Sequence, residues 1–272
     1  MSGRTNGVSR MYADTRFGQS HLYMAGDRGS ATAPPLVCFH MSPWSALVFE
    51  PFLKAMAPTR FCIAVDSPGY GNSDVPPGQP TIADYAGAML DVVDKLGLER
   101  IHLLGDRTGA KIAFEVARLR PSQVQRMVLI SPVIWTDVQR EQRLQYPLES
   151  VNKDGSHLTA LWRLSVGLGM WGGRSLDQLA EVFYARVQRQ DIAHFARRAA
   201  AEYDAREALQ RFDRPVLILN PKDDLWDITP RAKPFLTHAQ SRVLDLPDWG
   251  YGFIEVKADE VSTIVNEFLD AP

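Results

Sequence analysis

Cysteine is scarce: two residues in a chain of 272, Cys38 and Cys62. Both sit inside apolar runs, so a disulfide framework is excluded and buried thiols in a reducing compartment are expected. Charge of one sign is also lacking. The formal net charge is -2 and the pI is near 6.3, so no excess charge recruits nucleic acid or a membrane surface. No apolar stretch approaches the roughly 18 residues of a membrane span. The opening "MSGRTNGVSRMYADTRFGQS" has no apolar core of the kind a signal peptide uses. Internal repeats and low-complexity tracts are absent. The expectation is a soluble cytoplasmic protein without cofactor or metal. Its partner is a small-molecule substrate or ligand, not nucleic acid or membrane, with homodimer formation left open.

Histidine is missing from one place in particular. The six are His21, His40, His102, His157, His194 and His238. None follows the last strand-like run, "RVLDLP" at 242–247, so that loop cannot supply an imidazole.

What the chain does have is alternation. β-rich runs recur at 21–26, 36–40, 61–66, 101–106, 126–132, 215–220 and 242–247. Several are continuously apolar, as strands buried on both faces of a parallel sheet are. Helical spacing lies between them. "TIADYAGAMLDVVDKLGL" puts Ile82, Tyr85, Ala86, Met89, Leu90 and Val93 on one face, and Thr81 with Asp84 forms a candidate capping box. "GAKIAFEVARLRP" and "ADEVSTIVNEFL" repeat the pattern. Such order predicts a doubly wound, mostly parallel α/β sheet, whose ligands bind at the carboxyl ends of the strands. About eighty residues between "ISPVIW" and "PVLILN" carry no strand pattern and are rich in helix formers. They predict a helical cap over 136–213, inserted into a core domain formed by 1–135 and 214–272.

Five stretches, in order, resemble the α/β-hydrolase fold superfamily. "LVCFHMSPWSALVFEPFLKAM" is similar to the strand and loop that supply part of an oxyanion hole. "AVDSPGYGNSD" is similar to the D-x-x-G-x-G-x-S turn. "LLGDRTGA" is similar to the nucleophile elbow, G-x-nucleophile-x-G. "LILNPKDDLW" resembles the strand and loop of the triad acid, and "LPDWGYGFIEVKADEV" the loop of the triad histidine. The resemblance implies a capped α/β-hydrolase fold for nearly the whole chain.

It also implies where a triad would sit, and there the chain departs. Gly105 and Gly109 suit the tight elbow, but the nucleophile position falls on Arg107. The acid position falls on Asp224, with Asp223 as its neighbour, and the histidine position on Tyr251. Ser-His-Asp catalysis needs a nucleophile touching a base, and neither is present. Function lives in the site and not the fold.

What remains is a different set of candidates. Arg107 at a helix start offers a rigid fork of donors to a carboxylate or enolate; alternatively it is consumed by Asp106, Asp223 or Asp224. Tyr251 is a general acid or base, or an aromatic that hydrogen-bonds Asp224. His40, at the end of its strand, shuttles a proton or shapes the oxyanion loop. Ser42, Ser45, Asp106 and Thr108 are candidate polar contacts. All six tryptophans lie on the ligand side: Trp44, Trp135, Trp226 and Trp249 after strand ends, Trp162 and Trp171 in the cap. They predict an aromatic-lined pocket. The expected function is an enzyme acting non-covalently on a small aromatic anion by hydrolysis, C–C cleavage, lyase or decarboxylase-type chemistry. The alternative is a non-catalytic pseudo-hydrolase that binds or senses such a ligand.

Overall fold

All seven apolar runs are strands in the computed structural model, which describes residues 7–29, 33–146, 151–169 and 172–272. They are β2 (Gly18–Ala25), β3 (Leu36–Phe39), β4 (Cys62–Val65), β5 (Ile101–Asp106), β6 (Val124–Ile130), β7 (Val216–Pro221) and β8 (Arg242–Leu246). Every residue of β3, β4, β5 and β7 is buried, which is why those runs read as continuously apolar rather than alternating. One further strand, β1 (Val8–Thr15), was not evident in the sequence. It is an edge strand, antiparallel to β2, and alternates buried and exposed positions along polar residues.

The sheet runs β1-β2-β4-β3-β5-β6-β7-β8. From β4 onward all neighbours are parallel, and β2 joins them antiparallel. Helices cover both faces. On one lie α2 (Ile82–Lys95) and α3 (Thr108–Leu119), packed on Leu103, Met127 and Ile218. On the other lie α1 (Glu50–Met56) and α10 (Ala258–Leu269), packed on Leu104, Val128 and Leu217. Alternate residues of one strand thus feed opposite cores, which the period-2 pleat requires. Cys38 and Cys62, on adjacent strands β3 and β4, are both buried and reduced.

Local signals explain the helix ends. Thr81 Oγ1 accepts the amide of Asp84 at 3.1 Å, and the Asp84 carboxylate accepts the amide of Thr81 at 2.9 Å, closing the box at the start of α2. The segment between β6 and β7 holds α4 (Asp137–Leu144), α5 (Ser156–Gly167), α6 (Leu176–Val187), α7 (Phe195–Glu202) and α8 (Ala205–Arg211). The short α9 (Phe253–Val256) follows β8. No helix among the described residues is long and apolar enough to cross a membrane.

Candidate active site

The turn from β5 into α3 has the shape of a nucleophile elbow and an arginine at its tip. Arg107 takes φ 51° and ψ -101°, a left-handed region that an L residue holds only under tertiary constraint, at about 1–3 kcal/mol. Its amide donates to the carbonyl of Ile130 at 2.9 Å. The flanking glycines are dictated by contact. A Cβ on Gly109 would lie 2.0 Å from the carbonyl oxygen of Phe39, and one on Gly105 would lie 2.5 Å from that of Gly109. No side chain fits either place. One strand away, Ser131 is also left-handed (φ 44°), so two strained residues face each other at the ends of β5 and β6.

The aspartates after β7 close on the arginine. Arg107 Nη2 donates to Asp223 Oδ2 and to Asp224 Oδ1, each at 2.7 Å. Asp223 is almost fully enclosed, with a side chain 3% exposed. It accepts two further hydrogen bonds, from Ser131 Oγ at 2.8 Å and from the amide of Leu225 at 2.8 Å. Asp224 is 39% exposed and accepts from the Tyr251 hydroxyl. The Arg107 guanidinium lies over the Tyr251 ring, 4.7 Å from its centroid, a cation–π contact that seals one side of the cluster.

These contacts set the proton positions. Burial pulls the Asp224 carboxyl upward, but the charge and hydrogen bond of Arg107 and the Tyr251 hydroxyl more than offset it, so it stays ionised below its ordinary range. Burial pushes the Tyr251 phenol well above its ordinary value, against the pull of Arg107. The proton between them therefore stays on the tyrosine. Burial also lifts Asp106 to about 7, with Arg107 opposing, and its Oδ1 has no hydrogen-bond partner among the described residues. Asp106 faces a cavity of about 30 Å³, shared with Arg107, Arg174, Asp223 and Tyr251. That is room for about one water. Arg174 closes it by pairing with Glu255 of α9, both side chains under 10% exposed.

His40 takes the structural place of the two foreseen for it. Its Nδ1 donates to the Met41 carbonyl at 2.9 Å and its Nε2 accepts the Ser67 amide at 2.9 Å. Both nitrogens are used, and burial holds the ring neutral. It ties the loop after β3 to the turn after β4 and has no free lone pair for proton transfer. The proton-shuttle expectation for His40 does not fit these two bonds.

Two larger cavities open on the other side of Arg107. One, of about 160 Å³, is lined by Ser42, Thr108, Lys111, Trp135, Arg143 and Arg197 with Arg107 and Asp224. The other, of about 220 Å³, shares Ser42, Arg107, Arg143, Arg197 and Asp224, and adds Trp44, Tyr146, Leu164, Arg186 and Tyr251. They are two lobes of one chamber with a common basic wall. Ser45 is not in that wall; it caps the 3-10 turn Ala46–Phe49. The tryptophans are brought together only in part. Trp135 and Trp44 line the lobes, whereas Trp162 packs edge-on against Phe183, Trp226 lies under Lys222, and Trp249 packs against Phe253. Those three line none of the cavities touching Arg107. Trp171 lies outside the described residues. A strand end faces the site on one side and the flanking helices on the other, and only the fold shows which.

Sequence reasoning missed Lys111, Arg143, Arg197 and Ser131. Lys111 carried a signal: it stands four residues after Arg107 and so shares its helix face. Arg143 and Arg197 carried none, because basic residues on amphipathic helices read as a solvated face.

An eight-stranded sheet, a strained elbow between two glycines and an acid loop after β7 define an α/β hydrolase. The chain matches the α/β hydrolase fold family over residues 34–250 and belongs to it. Among its relatives is the carboxylesterase YbfK of Bacillus subtilis (strain 168), 35% identical over 122 residues, 44% of this chain and 40% of that protein. The match thus spans less than half the length of that relative. The putative carbamate hydrolase RutD of Agrobacterium fabrum is 26% identical over 253 residues, 89% of this chain and 95% of that protein. The crystal structure of a hydrolase from Pseudomonas aeruginosa PA01 superposes with a TM-score of 0.77 over 96% of this chain and 98% of that one, at 21% identity. At that identity it shares the fold.

Proposed function

We propose that this chain is an enzyme of the α/β-hydrolase fold that acts on a small organic anion, preferentially aromatic, without forming an acyl-enzyme. One observation carries the reading. The residue at the nucleophile position is a cation whose Nη2 alone meets the two aspartates. Its Nε and Nη1 make no hydrogen bond among the described residues, and it opens onto a chamber walled by Lys111, Arg143 and Arg197. A guanidinium edge with free donors in a partly dry site binds a carboxylate or stabilises an enolate as charge develops on it. Asp224, ionised and open to both lobes, takes the proton from substrate or from a water. Tyr251 holds Asp224 in place, and α4 to α8 act as the cap that shuts the chamber from solvent. That relatives are named carboxylesterase and carbamate hydrolase supports a carbonyl substrate.

A second reading, ligand binding without turnover, is favoured by one specific arrangement. Arg107, Asp223, Asp224 and Tyr251 satisfy one another, and His40 is tied to backbone. The test combines a fluorophosphonate probe with product analysis on a panel of anionic aromatic esters, amides and β-keto acids. We expect no labelling, with conversion of at least one anionic substrate that is lost in Arg107→Gln. Stoichiometric labelling mapped to a serine would overturn the non-covalent mechanism. Binding without conversion across the panel would leave the second reading in its place.

A further inference from the structure

The chamber holds more positive charge than one anion needs. Lys111 lies on α3, one turn beyond Arg107, so the two cations are separated by about 6 Å along the helix. It is 3% exposed, and no carboxylate among the described residues lies within ion-pair distance of it. Its Nζ donates to the carbonyls of Ala200 at 2.7 Å and Tyr203 at 3.1 Å. An ammonium carries three donors, so one remains, and Lys111 is part of the cavity wall beside Thr108 and Trp135. Burial brings its pKa down to about 8, which leaves it protonated at neutral pH but sensitive to any anion that enters. Arg143 stands at the same lobe. Its guanidinium is stacked on Trp135, 4.4 Å from the ring centroid, and makes no hydrogen bond or ion pair among the described residues. Stacking orients the fork while leaving its edges open.

We propose that the ligand of this chamber is a dianion with its two acid groups apart, a small dicarboxylate, one group meeting the free edge of Arg107 and the other meeting Lys111 and Arg143. The inference rests on the anion-binding reading of Arg107 and narrows it to a substrate class. A cation buried without an acid is costly in the empty protein, and an incoming carboxylate removes that cost. An apolar bridge between the two acid groups fits the space beside Trp135 and Val133. The competing account is that Lys111 only caps the last carbonyls of α7. That role predicts a stability loss on substitution but no preference between ligands.

The experiment is a calorimetric titration of the full chain with four acids, terephthalate, its monomethyl ester, benzoate and phenyl phosphate, and with benzamide as the neutral control. Diacid and monoester have the same shape and differ in one charge. We expect terephthalate to bind about ten- to a hundredfold more tightly than the monoester, the effect of one added charge-assisted contact. Lys111→Met and Arg143→Gln should each cost the diacid far more than the monoester. Arg143 is exposed, so its variant keeps the test valid if Lys111→Met does not fold. Phenyl phosphate, with both charges on one group, should bind like benzoate. Equal affinity for diacid and monoester, while benzoate still binds better than benzamide, would overturn the two-point inference and leave the Arg107 reading standing. Phenyl phosphate binding more tightly than terephthalate would overturn it in favour of a single dianion site. No binding of any of the four would end both.

Discussion

Arg107 and Arg143 line the same chamber under opposite conditions. Arg107 sits at its floor, held by two carboxylates and covered by an aromatic ring. Arg143 sits at its wall, stacked on Trp135 with no carboxylate within reach among the described residues. The floor is fixed by interlocked hydrogen bonds, since Asp223 also accepts from Ser131 and from the Leu225 amide in the loop after β7. Arg143 is held by its stacking on Trp135. Charge at the floor is therefore part of the protein's own stability, with only a fraction of its donors left over. The Arg143 charge, with no carboxylate beside it among the described residues, is open to a ligand.

The sharpest way to break that contrast is to remove one acid from the floor. Asp223→Asn should destabilise the protein by about 3–5 kcal/mol, because it leaves a buried guanidinium half-compensated and a saturated acceptor weakened. Asp224→Asn, at a carboxylate 39% exposed, should cost far less, about 1 kcal/mol or below. Urea unfolding of the two variants measures both. Equal losses would mean that the floor is not organised around Asp223.

A second prediction concerns pH. Folding raises the Asp106 carboxyl from its ordinary value to about 7, so the native state binds that proton more tightly than the unfolded chain. This contribution is fully present below about pH 4 and is lost as pH rises through 7. Asn at 106 does not titrate. The stability of Asp106→Asn relative to the parent should therefore rise between pH 4.5 and 8, by about 2–4 kcal/mol. Urea midpoints at the two pH values read it. A pH-independent difference would mean that Asp106 keeps an ordinary carboxylate in the folded state.

Much of this architecture was legible in the sequence, and the illegible parts share a cause. The capping box at Thr81 and the buried runs of β3 to β7 are local signals, complete within a few residues. The elbow was legible from its two glycines, because the close approach of Phe39 to Gly109 admits no other residue. The meeting of Arg107, Asp223, Asp224 and Tyr251 followed from the known order of loops at the strand ends. β1 was missed because an edge strand with one polar face reads as loop. α1 was missed because it follows a 3-10 turn with no side-chain cap of its own. The tryptophans misled for a related reason. Proximity to a strand end does not fix direction, so Trp226 and Trp249 turn away from the chamber, and Trp162, on α5, packs on Phe183 instead. Arg143 and Arg197 were invisible because nothing local distinguishes a chamber-facing arginine from a solvated one.

In the proposed reading, Arg107 binds an anion with the donors its aspartates leave free. A fluorescence titration of benzoate against benzamide tests it most directly, in the parent, Arg107→Gln and Arg107→Lys. Trp135 in the wall is the reporter. A charge-assisted pair in a partly dry site contributes about 1.5–3 kcal/mol, roughly ten- to a hundredfold in affinity. The parent should bind benzoate more tightly than the amide by that factor. Arg107→Gln should lose the difference, and Arg107→Lys should restore only part of it, because a point charge cannot form the fork. Equal weakening of acid and amide in Arg107→Gln, or a parent that makes no distinction between them, would contradict the account.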